Sequence, residues 1–448
     1  MKCGFAKGTC SHRRAEQGQT ILLVAVSIVA LLSMAALAID VVTLYVAKSE
    51  IQRAADAVAL AGAKAVADSG VTTLNGASAN LGAAEIVAQN MATVAITAAL
   101  SANMVNGQPP TLSAGGAINW SLGNNNPTIT VTLQQTNLPT FFAKIFSRTS
   151  AMTQATATAE AYNPANTSPN TQIQEQCVKP WLMANCDPNS PIVNNVCTQQ
   201  IVNPATGAVE DLIGQPVFLA ADCNATQSHC SGGFLDDPPV DKGPLLKTVD
   251  YLPAQAGTTT IAPASCGTAN PYQQSIAGCD PTPYTCGGGT TPIEFDPTEN
   301  PENGPNSANN DVAEGTSCLV AGGDTLDYQT PWYDGPPQIR AGSPPLTNQL
   351  VSTSNAIVTI PIIQYCPPVP SGGCVTPNRS VEEVVGFLQG FIKSVGQNPN
   401  FATDQNHQAD IQLIVMNVVG CSTTTNGNPP VTGGNGASTI PVRLITPP

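Results

Sequence analysis

Basic charge is scarce in this chain, and histidine scarcer still. Of 448 residues only 16 are Lys or Arg, against 30 Asp or Glu, giving a formal net charge of −14, and charged residues of both signs make up just 10%. A chain so poor in cations carries no basic footprint for nucleic acid. The only histidines are His12, His229 and His407, and no C-x-x-C occurs, so a zinc site is not expected. There is no G-x-S-x-G elbow, no Walker loop and no H-E-x-x-H. No catalytic, cofactor-binding or metal-ligating residue is assigned, and the chain reads as a non-enzyme.

The weaker catalytic patterns dissolve on inspection. Ser231 and Ser371 each precede two glycines, which is common in turns. His229 adjoins Cys230, but adjacent side chains rarely face each other usefully and no orienting partner is evident. Asp236, Asp237 and Asp241, broken by Pro238 and Pro239, read as an exposed turn. The acidic stretch Glu294–Glu314 offers oxygen ligands for calcium, yet lacks the D-x-[DN]-x-[DN]-G spacing, so a solvated loop is the better reading.

What the chain does have is a long apolar run near its start. Between Ile21 and Ile39 the only polar residues are Ser27 and Ser33, and no Pro or Gly interrupts. At about 1.5 Å per residue the run nearly matches a hydrocarbon core of roughly 30 Å. Lys2, Lys7, Arg13 and Arg14 precede it against Glu16, whereas Asp40, Glu50 and Asp56 follow it with Lys48 and Arg53. The cationic excess before the run places the N-terminus in the cytoplasm and the rest of the chain outside it. A cleavable signal peptide is the rival, with Ala36 and Ala38 as an A-x-A site, but the run exceeds the usual 7–15 apolar residues and the helical pattern continues beyond the cut. A further alternative, prepilin-type processing after Gly18, expects Glu where Leu23 stands.

The helix continues through residues 41–68. Ile51, Ala54, Ala55, Val58, Ala61, Gly62 and Ala65 recur at three- and four-residue steps and form a stripe of mostly small side chains. Such a stripe suits close approach of another segment, either of this chain or of another subunit. Ser69-Gly70 ends the helix. A second helix is expected near Ala77–Val94, with Leu81, Ala84, Ile86, Val87, Met91 and Val94 as its apolar set, and Asn106–Pro110 breaks the pattern. Thr128–Thr136 and Ala151–Tyr162 alternate as half-buried strands. Between them Leu138–Arg148 reads as a short amphipathic helix whose Phe141, Phe142, Ile145 and Phe146 supply a core, a lipid-facing role being the alternative.

From Asn163 the composition shifts to Asn, Pro, Thr and Gly. Cys3 and Cys10 precede the apolar run. The other 12 cysteines follow it: Cys177, Cys186, Cys197, Cys223, Cys230, Cys266, Cys279, Cys286, Cys318, Cys366, Cys374 and Cys421. An even number beyond a membrane segment makes all of them disulfide candidates. Sequence does not fix the pairing; Cys177 with Cys186, Cys223 with Cys230 and Cys366 with Cys374 are short-loop choices. Regularity returns with a strand at Asn355–Gln364, a helix introduced by Ser380 and Glu383 in capping-box spacing, and strands at Asp410–Val419 and Ile440–Ile445, expected to form one small α+β core.

Residues 17–62, QGQTILLVAVSIVALLSMAALAIDVVTLYVAKSEIQRAADAVALAGA, resemble the N-terminal domain of TadG-like Flp pilus-assembly proteins. The resemblance is carried by Gly18-Gln19, Ala38-Ile39-Asp40, Tyr45 and above all Gln52-Arg53-Ala54-Ala55-Asp56-Ala57 followed by Ala59-Leu60-Ala61. It loosens towards Tyr162 and is weak beyond. It implies a component of the bacterial Tad (tight adherence) secretion and pilus system in the inner membrane, single-pass, with the bulk of the chain periplasmic or extracellular. Partners would be other pilus-assembly or secretion-system proteins, with a homo-oligomer also considered. Asp40, Tyr45, Gln52, Arg53, Ala54, Ala55, Asp56, Ala59 and Ala61 would form the stalk and its partner contacts. Many such proteins carry a von Willebrand factor A domain; its D-x-S-x-S metal-adhesion motif is missing here.

The fold class expected is α+β, with a transmembrane helix running on as a stalk, a small helix-on-sheet unit, and a disulfide-rich, loop-heavy exported part. The boundaries are residues 1–19 (cytoplasmic flank), 20–44 (transmembrane helix), 45–162 (stalk and small α+β unit), 163–345 (Cys/Pro/Gly/Asn-rich region) and 346–448 (C-terminal α+β segment). The functional expectation is a pilus-assembly component working by protein–protein contact. The alternative is a membrane-tethered surface adhesin or binding module.

Overall fold

The computed structural model describes residues 13–74, 80–113, 118–121, 126–147, 149–163, 172–189, 192–193, 196–197, 199–221, 247–257, 271–286, 293–296, 299, 311–351, 353–364, 383–396, 410–422, 431–432 and 440–445. The chain divides into two compact units. The first comprises Met1–Val58, Thr97–Asn119 and Thr130–Ala157; the second comprises Ala59–Ile96, Trp120–Ile129 and Thr158–Pro448.

Helix α1 spans Arg13–Asp68. It is one helix because no proline or helix-breaking turn falls in it, and Ala and Leu, the strongest helix formers, are frequent along it. Residues 20–35 are exposed on every side, and the segment is long and apolar enough to cross a membrane. From Asp40 onward one stripe turns inward: Asp40, Ala47, Ile51, Ala54, Ala55 and Val58 are all buried. Their three- and four-residue steps are those of one helix face.

The rest of the first unit is a short sheet. Helix α2 (Leu81–Ala102) ends in it, and Asn106-Gly107, both with positive φ (50° and 73°), make the tight turn that follows. Strand β1 (Thr111–Leu112) pairs antiparallel with β3 (Thr128–Pro139), as Thr111 opposite Gln134, and β3 neighbours β4 (Ser150–Ala161). The short strand β2 (Ile118–Ser121) also pairs with β3. Alternation has its expected result: Val131 and Leu133 on β3 and Ala155 and Ala157 on β4 are buried, with Thr and Gln between them on the other face. Helix α1 runs beside β4. Lys48 donates its Nζ to the carbonyl of Gln154, and Gln52 Nε2 donates to that of Thr156 at 3.4 Å. Four helical residues advance about 6 Å and two strand residues about 6.6 Å, so the two rungs stay in step.

The second unit begins with the last turns of α1. Ala59, Ala63, Val66 and Ala67 are fully buried, and a Cβ on Gly62 would lie 3.0 Å from Ile96 Cδ1 and 3.2 Å from Ile129 Cδ1. Gly70, at φ 83°, stops the helix in the left-handed conformation. Trp332 Nε1 donates to the Ser69 carbonyl (3.1 Å), and the Thr73 hydroxyl both accepts from Val418 N and donates to Val418 O (3.2 Å each).

Those last contacts fix the helix end to a closed barrel. After β5 (Ile173–Glu175) come β6 (Trp181–Ala184), the small hairpin of β7 (Ile192–Val193) and β8 (Val196–Cys197), then β9 (Pro216–Ala221) and β10 (Lys247–Pro253). Helices α3 (Pro271–Ala277) and α4 (Asp311–Leu319) flank β11 (Tyr284–Cys286) in sequence, and β12 (Thr325–Asp327), β13 (Gln338–Arg340) and β14 (Leu350–Val351) form a small sheet. The chain closes with β15 (Ile357–Ile363), β16 (Val384–Val395), β17 (Ile411–Gly420), β18 (Val431–Thr432) and β19 (Val442–Ile445). The barrel order is β10-β6-β15-β16-β17-β9, parallel at β9–β10 and β6–β15 and antiparallel elsewhere. It draws strands from before residue 254 as well as from the C-terminal segment where the regular core was expected. A polar row crosses three of its strands: Thr359 faces Gln389, Gln389 faces Asn417, and Asn417 Nδ2 donates to Gln389 Oε1 at 2.7 Å. Strand β19 pairs with β4, where Arg443 reaches Glu160 at 2.8 Å and lies 4.3 Å over the Tyr162 ring.

The mixed helix-and-sheet class holds, but four local expectations are corrected. Residues 384–395 form a strand, not a capped helix; residues 384–392 are buried on both faces, and Gly386 and Gly390 disfavour helix while allowing close strand contact. Leu138–Arg148 is not an amphipathic helix. Leu138 still belongs to β3, only Ala143–Phe146 coils as a single 3-10 turn, and Phe141 and Phe142 are exposed rather than core. Helix α2 starts later and buries Ala84, Val87, Ala88, Ala92 and Ile96, leaving Ile86 and Val94 exposed. Cys177 bonds Cys279 rather than Cys186. A second bridge joins Cys286 to Cys421, and Cys186 and Cys318 are disulfide-bonded too. Cys223, Cys230, Cys266, Cys366 and Cys374, the candidate turns at Ser231, Ser371, His229, Asp236, Asp237 and Asp241, and most of the acidic stretch after Asp296 lie outside the described residues.

Candidate functional site at the Asp40 junction

Asp40 follows directly on the apolar run, and its side chain is almost wholly buried. A carboxylate there needs donors, and the turn after β3 supplies three. Phe141 N donates to Oδ1 at 2.8 Å, Phe142 N to Oδ2 at 3.0 Å and to Oδ1 at 3.3 Å, and Ala143 N to Oδ2 at 2.7 Å. Successive backbone amides that converge on one anion make a nest. The turn opens a 3-10 helix, so these amides would otherwise be among the unsatisfied donors at a helix start. The bonds are charge-assisted, and they pin a segment a hundred residues away to the helix where its exposed apolar stretch ends.

Below this clamp further polar contacts repeat the attachment. Glu50 Oε2 accepts from Asn106 N at 2.8 Å, which secures the tight turn to α1. Lys48 and Gln52 form the two rungs along β4 already described. Gln52 Nε2 also lies 2.9 Å from Asp56 Oδ1, so Asp56 takes its hydrogen bond from Gln52 one turn earlier, while Arg53 stands exposed.

The residues singled out for stalk and partner contact thus separate into three groups. Asp40, Ala54, Ala55 and Ala59 are buried inside this chain, and Gln52, Asp56 and Ala61 are half-buried. Tyr45 and Arg53 are exposed. The polar attachment of α1 to its sheet was not foreseen for Lys48 or Glu50. The only signal in sequence is that both are charged residues lying between the buried positions Ala47 and Ile51.

Among the described residues no three His, Cys, Asp or Glu side chains gather so as to hold a metal ion. Two buried ionisable groups stand apart in the second unit. Lys179 donates to the carbonyls of Ile276 and Gly278, both at 2.7 Å, and burial pulls its amine down to about 7. Burial pushes Glu175 up to about 9. Both belong to the packing beside the barrel.

The junction and fold define a class: a long helix whose first part is a candidate membrane span and whose second part is clamped to a small sheet. Residues 18–65 match the family model described as "Putative Flp pilus-assembly TadE/G-like". The match covers the apolar run, Asp40 and the buried stripe as far as Ala65. No curated protein and no solved structure matches the chain.

Proposed function

We propose that this chain is a membrane-anchored structural component of a bacterial Tad apparatus that assembles Flp-type pili, and that it works by protein–protein contact rather than by catalysis. The observation that carries the reading is the TadE/G-like match over residues 18–65, on a helix whose residues 20–35 are exposed. In this reading Ile21–Ile39 spans the inner membrane once, the N-terminus is cytoplasmic, and the sheet unit and barrel lie outside the cytoplasm. The disulfide bonds agree with an oxidising compartment.

The contact surface on α1 is then narrower than the sequence motif. Ala54, Ala55 and Ala59 serve the internal packing of the stalk, and Tyr45 and Arg53 are the members of the set that a pilus component or a second copy of this chain can reach. Deleting the gene in its native host and counting surface pili and adherent cells tests the proposal. Loss of both, restored by the wild-type gene, is expected. Normal piliation with reduced attachment would instead favour a tethered adhesin, and normal piliation with normal attachment would sink both readings.

A further inference from the structure

We infer that the turn carrying Phe141 and Phe142 seats in the outer interfacial layer of the bilayer, so that the chain is held by a span and by a second, laterally placed lipid contact. The inference rests on the reading of Ile21–Ile39 as a membrane span.

Position comes first. The run Ile21–Ile39 is about as long as a hydrocarbon core is thick, so Asp40 falls where lipid chains give way to headgroups. The Asp40 carboxylate bonds the amides of Phe141, Phe142 and Ala143 within 3.3 Å, which brings this turn to the same level. The rungs along β4 extend the placement. Lys48 meets Gln154 and Gln52 meets Thr156, so one step back sets Met152 level with Leu44.

Chemistry comes second. Phe141 is 58% exposed, Phe142 38% and Met152 62%. Val41 and Val42, just beyond Asp40, are exposed as well. Large apolar side chains gathered at one level and left open to solvent mark a surface that something covers. Aromatic side chains favour the membrane–water boundary, and an exposed lysine, Lys144, sits in the same turn with a stem long enough to reach headgroups. The patch is continuous with the exposed apolar band of residues 20–35, which selects lipid over protein as its occupant. A protein partner on this rim would have to displace lipid from a surface already fitted to it.

The test uses the full-length protein reconstituted in phosphatidylcholine vesicles. Phe141→Trp and, separately, Phe142→Trp are compared with the wild-type chain, whose own three tryptophans supply the background. The lipids are brominated either near the headgroup end of their chains or near the chain ends. Leu31→Trp serves as the reference within the span. The expected result is that the indole added at 141 or 142 emits to the blue of its position in water and loses most of its emission to the shallow bromines and little to the deep ones. The Leu31→Trp indole should show the opposite preference. A quenched reference with an unquenched, water-like indole at both 141 and 142 would overturn the inference and leave the span intact, pointing to a protein partner for the patch. An unquenched reference would overturn the span itself and this inference with it.

Discussion

The carboxylate of Asp40 grips the backbone of Phe142 with both oxygens, Oδ2 at 3.0 Å and Oδ1 at 3.3 Å, and each oxygen reaches one amide further, Phe141 or Ala143. Removing the charge while keeping the shape separates the anion from the side chain. In Asp40→Asn one oxygen becomes a donor that faces other donors. The amides of residues 141–143 should then exchange hydrogen roughly tenfold faster or more, as befits loss of charge-assisted bonds. Asp40→Ala should do the same or worse. Hydrogen exchange of the detergent-solubilised chain measures this, and unchanged protection at 141–143 would show that the turn holds itself.

Gly62 tests how closely α1 is packed. Its absent Cβ would sit 3.0 Å from Ile96 Cδ1, 3.1 Å from Ile96 Cγ1 and 3.2 Å from Ile129 Cδ1. Gly62→Ala gains about 1 kcal/mol of helix propensity. Crowding offsets a similar amount, so the single change should be nearly neutral. Gly62→Leu has no such room and should lose about 1–3 kcal/mol or more. Combining Gly62→Ala with Ile96→Val relieves the crowding, so the pair should be more stable than the sum of its parts by about 0.5–1 kcal/mol. Urea unfolding of the wild-type chain, Gly62→Ala, Gly62→Leu, Ile96→Val and the pair decides it, and strict additivity would mean that Ile96 does not limit the approach.

The elements legible in sequence were those with one wet face. Alternation in Thr128–Thr136 and Ala151–Tyr162 marked β3 and β4 because Val131, Leu133, Ala155 and Ala157 point one way and Thr or Gln the other. The same reasoning reads α2 only in part: Ala84 and Val87 are buried as expected, but Ile86 and Val94 face outward, and Ala88, Ala92 and Ile96 complete the buried face; side-chain size alone does not tell which face packs. It failed outright on residues 384–395, since a run buried on both faces has no period to read and its Val, Leu, Phe and Ile fit a helix as well as a strand. Asp40 stood out as the charge after an apolar run, but its partners are main-chain amides of residues 141–143, and a backbone nest leaves no mark in side-chain chemistry. The bridges Cys177–Cys279 and Cys286–Cys421 likewise follow from the barrel's topology, not from local spacing.

Glu175 gives the barrel unit a pH dependence of definite sign. The residue is fully buried on β5, neither carboxylate oxygen has a hydrogen-bond partner among the described residues, and burial raises it from 4.5 to about 9. Below about 4.5 both folded and unfolded chains carry the proton, and the group costs no charge burial. As pH rises from there to about 9 the unfolded chain releases the proton while the folded one keeps it, so stability falls across that window. Near neutral pH the loss is on the order of 3 kcal/mol. Glu175→Gln removes the titration and should raise the thermal midpoint at neutral and mildly alkaline pH while changing little near pH 4. Parallel midpoint–pH curves for the two proteins would place the carboxyl in contact with solvent or a cation.

The bridge from Cys286 to Cys421 joins β11 to the residue just past β17, across a sequence separation of 135. A crosslink of that span removes much of the unfolded chain's freedom, by about 4–5 kcal/mol on the loop-entropy account. Both sulfurs are buried, so reduction in the folded state should be slow and the effect should emerge on unfolding. The double variant Cys286→Ser with Cys421→Ser should therefore unfold at distinctly lower urea, with a loss of about 2–5 kcal/mol. Wild-type protein unfolded and refolded in reductant should lose at least as much, because Cys177–Cys279, with a separation of 102, is opened too. A double variant with an unshifted midpoint would mean that the strand pairing of β16 with β17 and the packing of the barrel already hold this end of the chain, and that the bridge adds nothing to equilibrium stability.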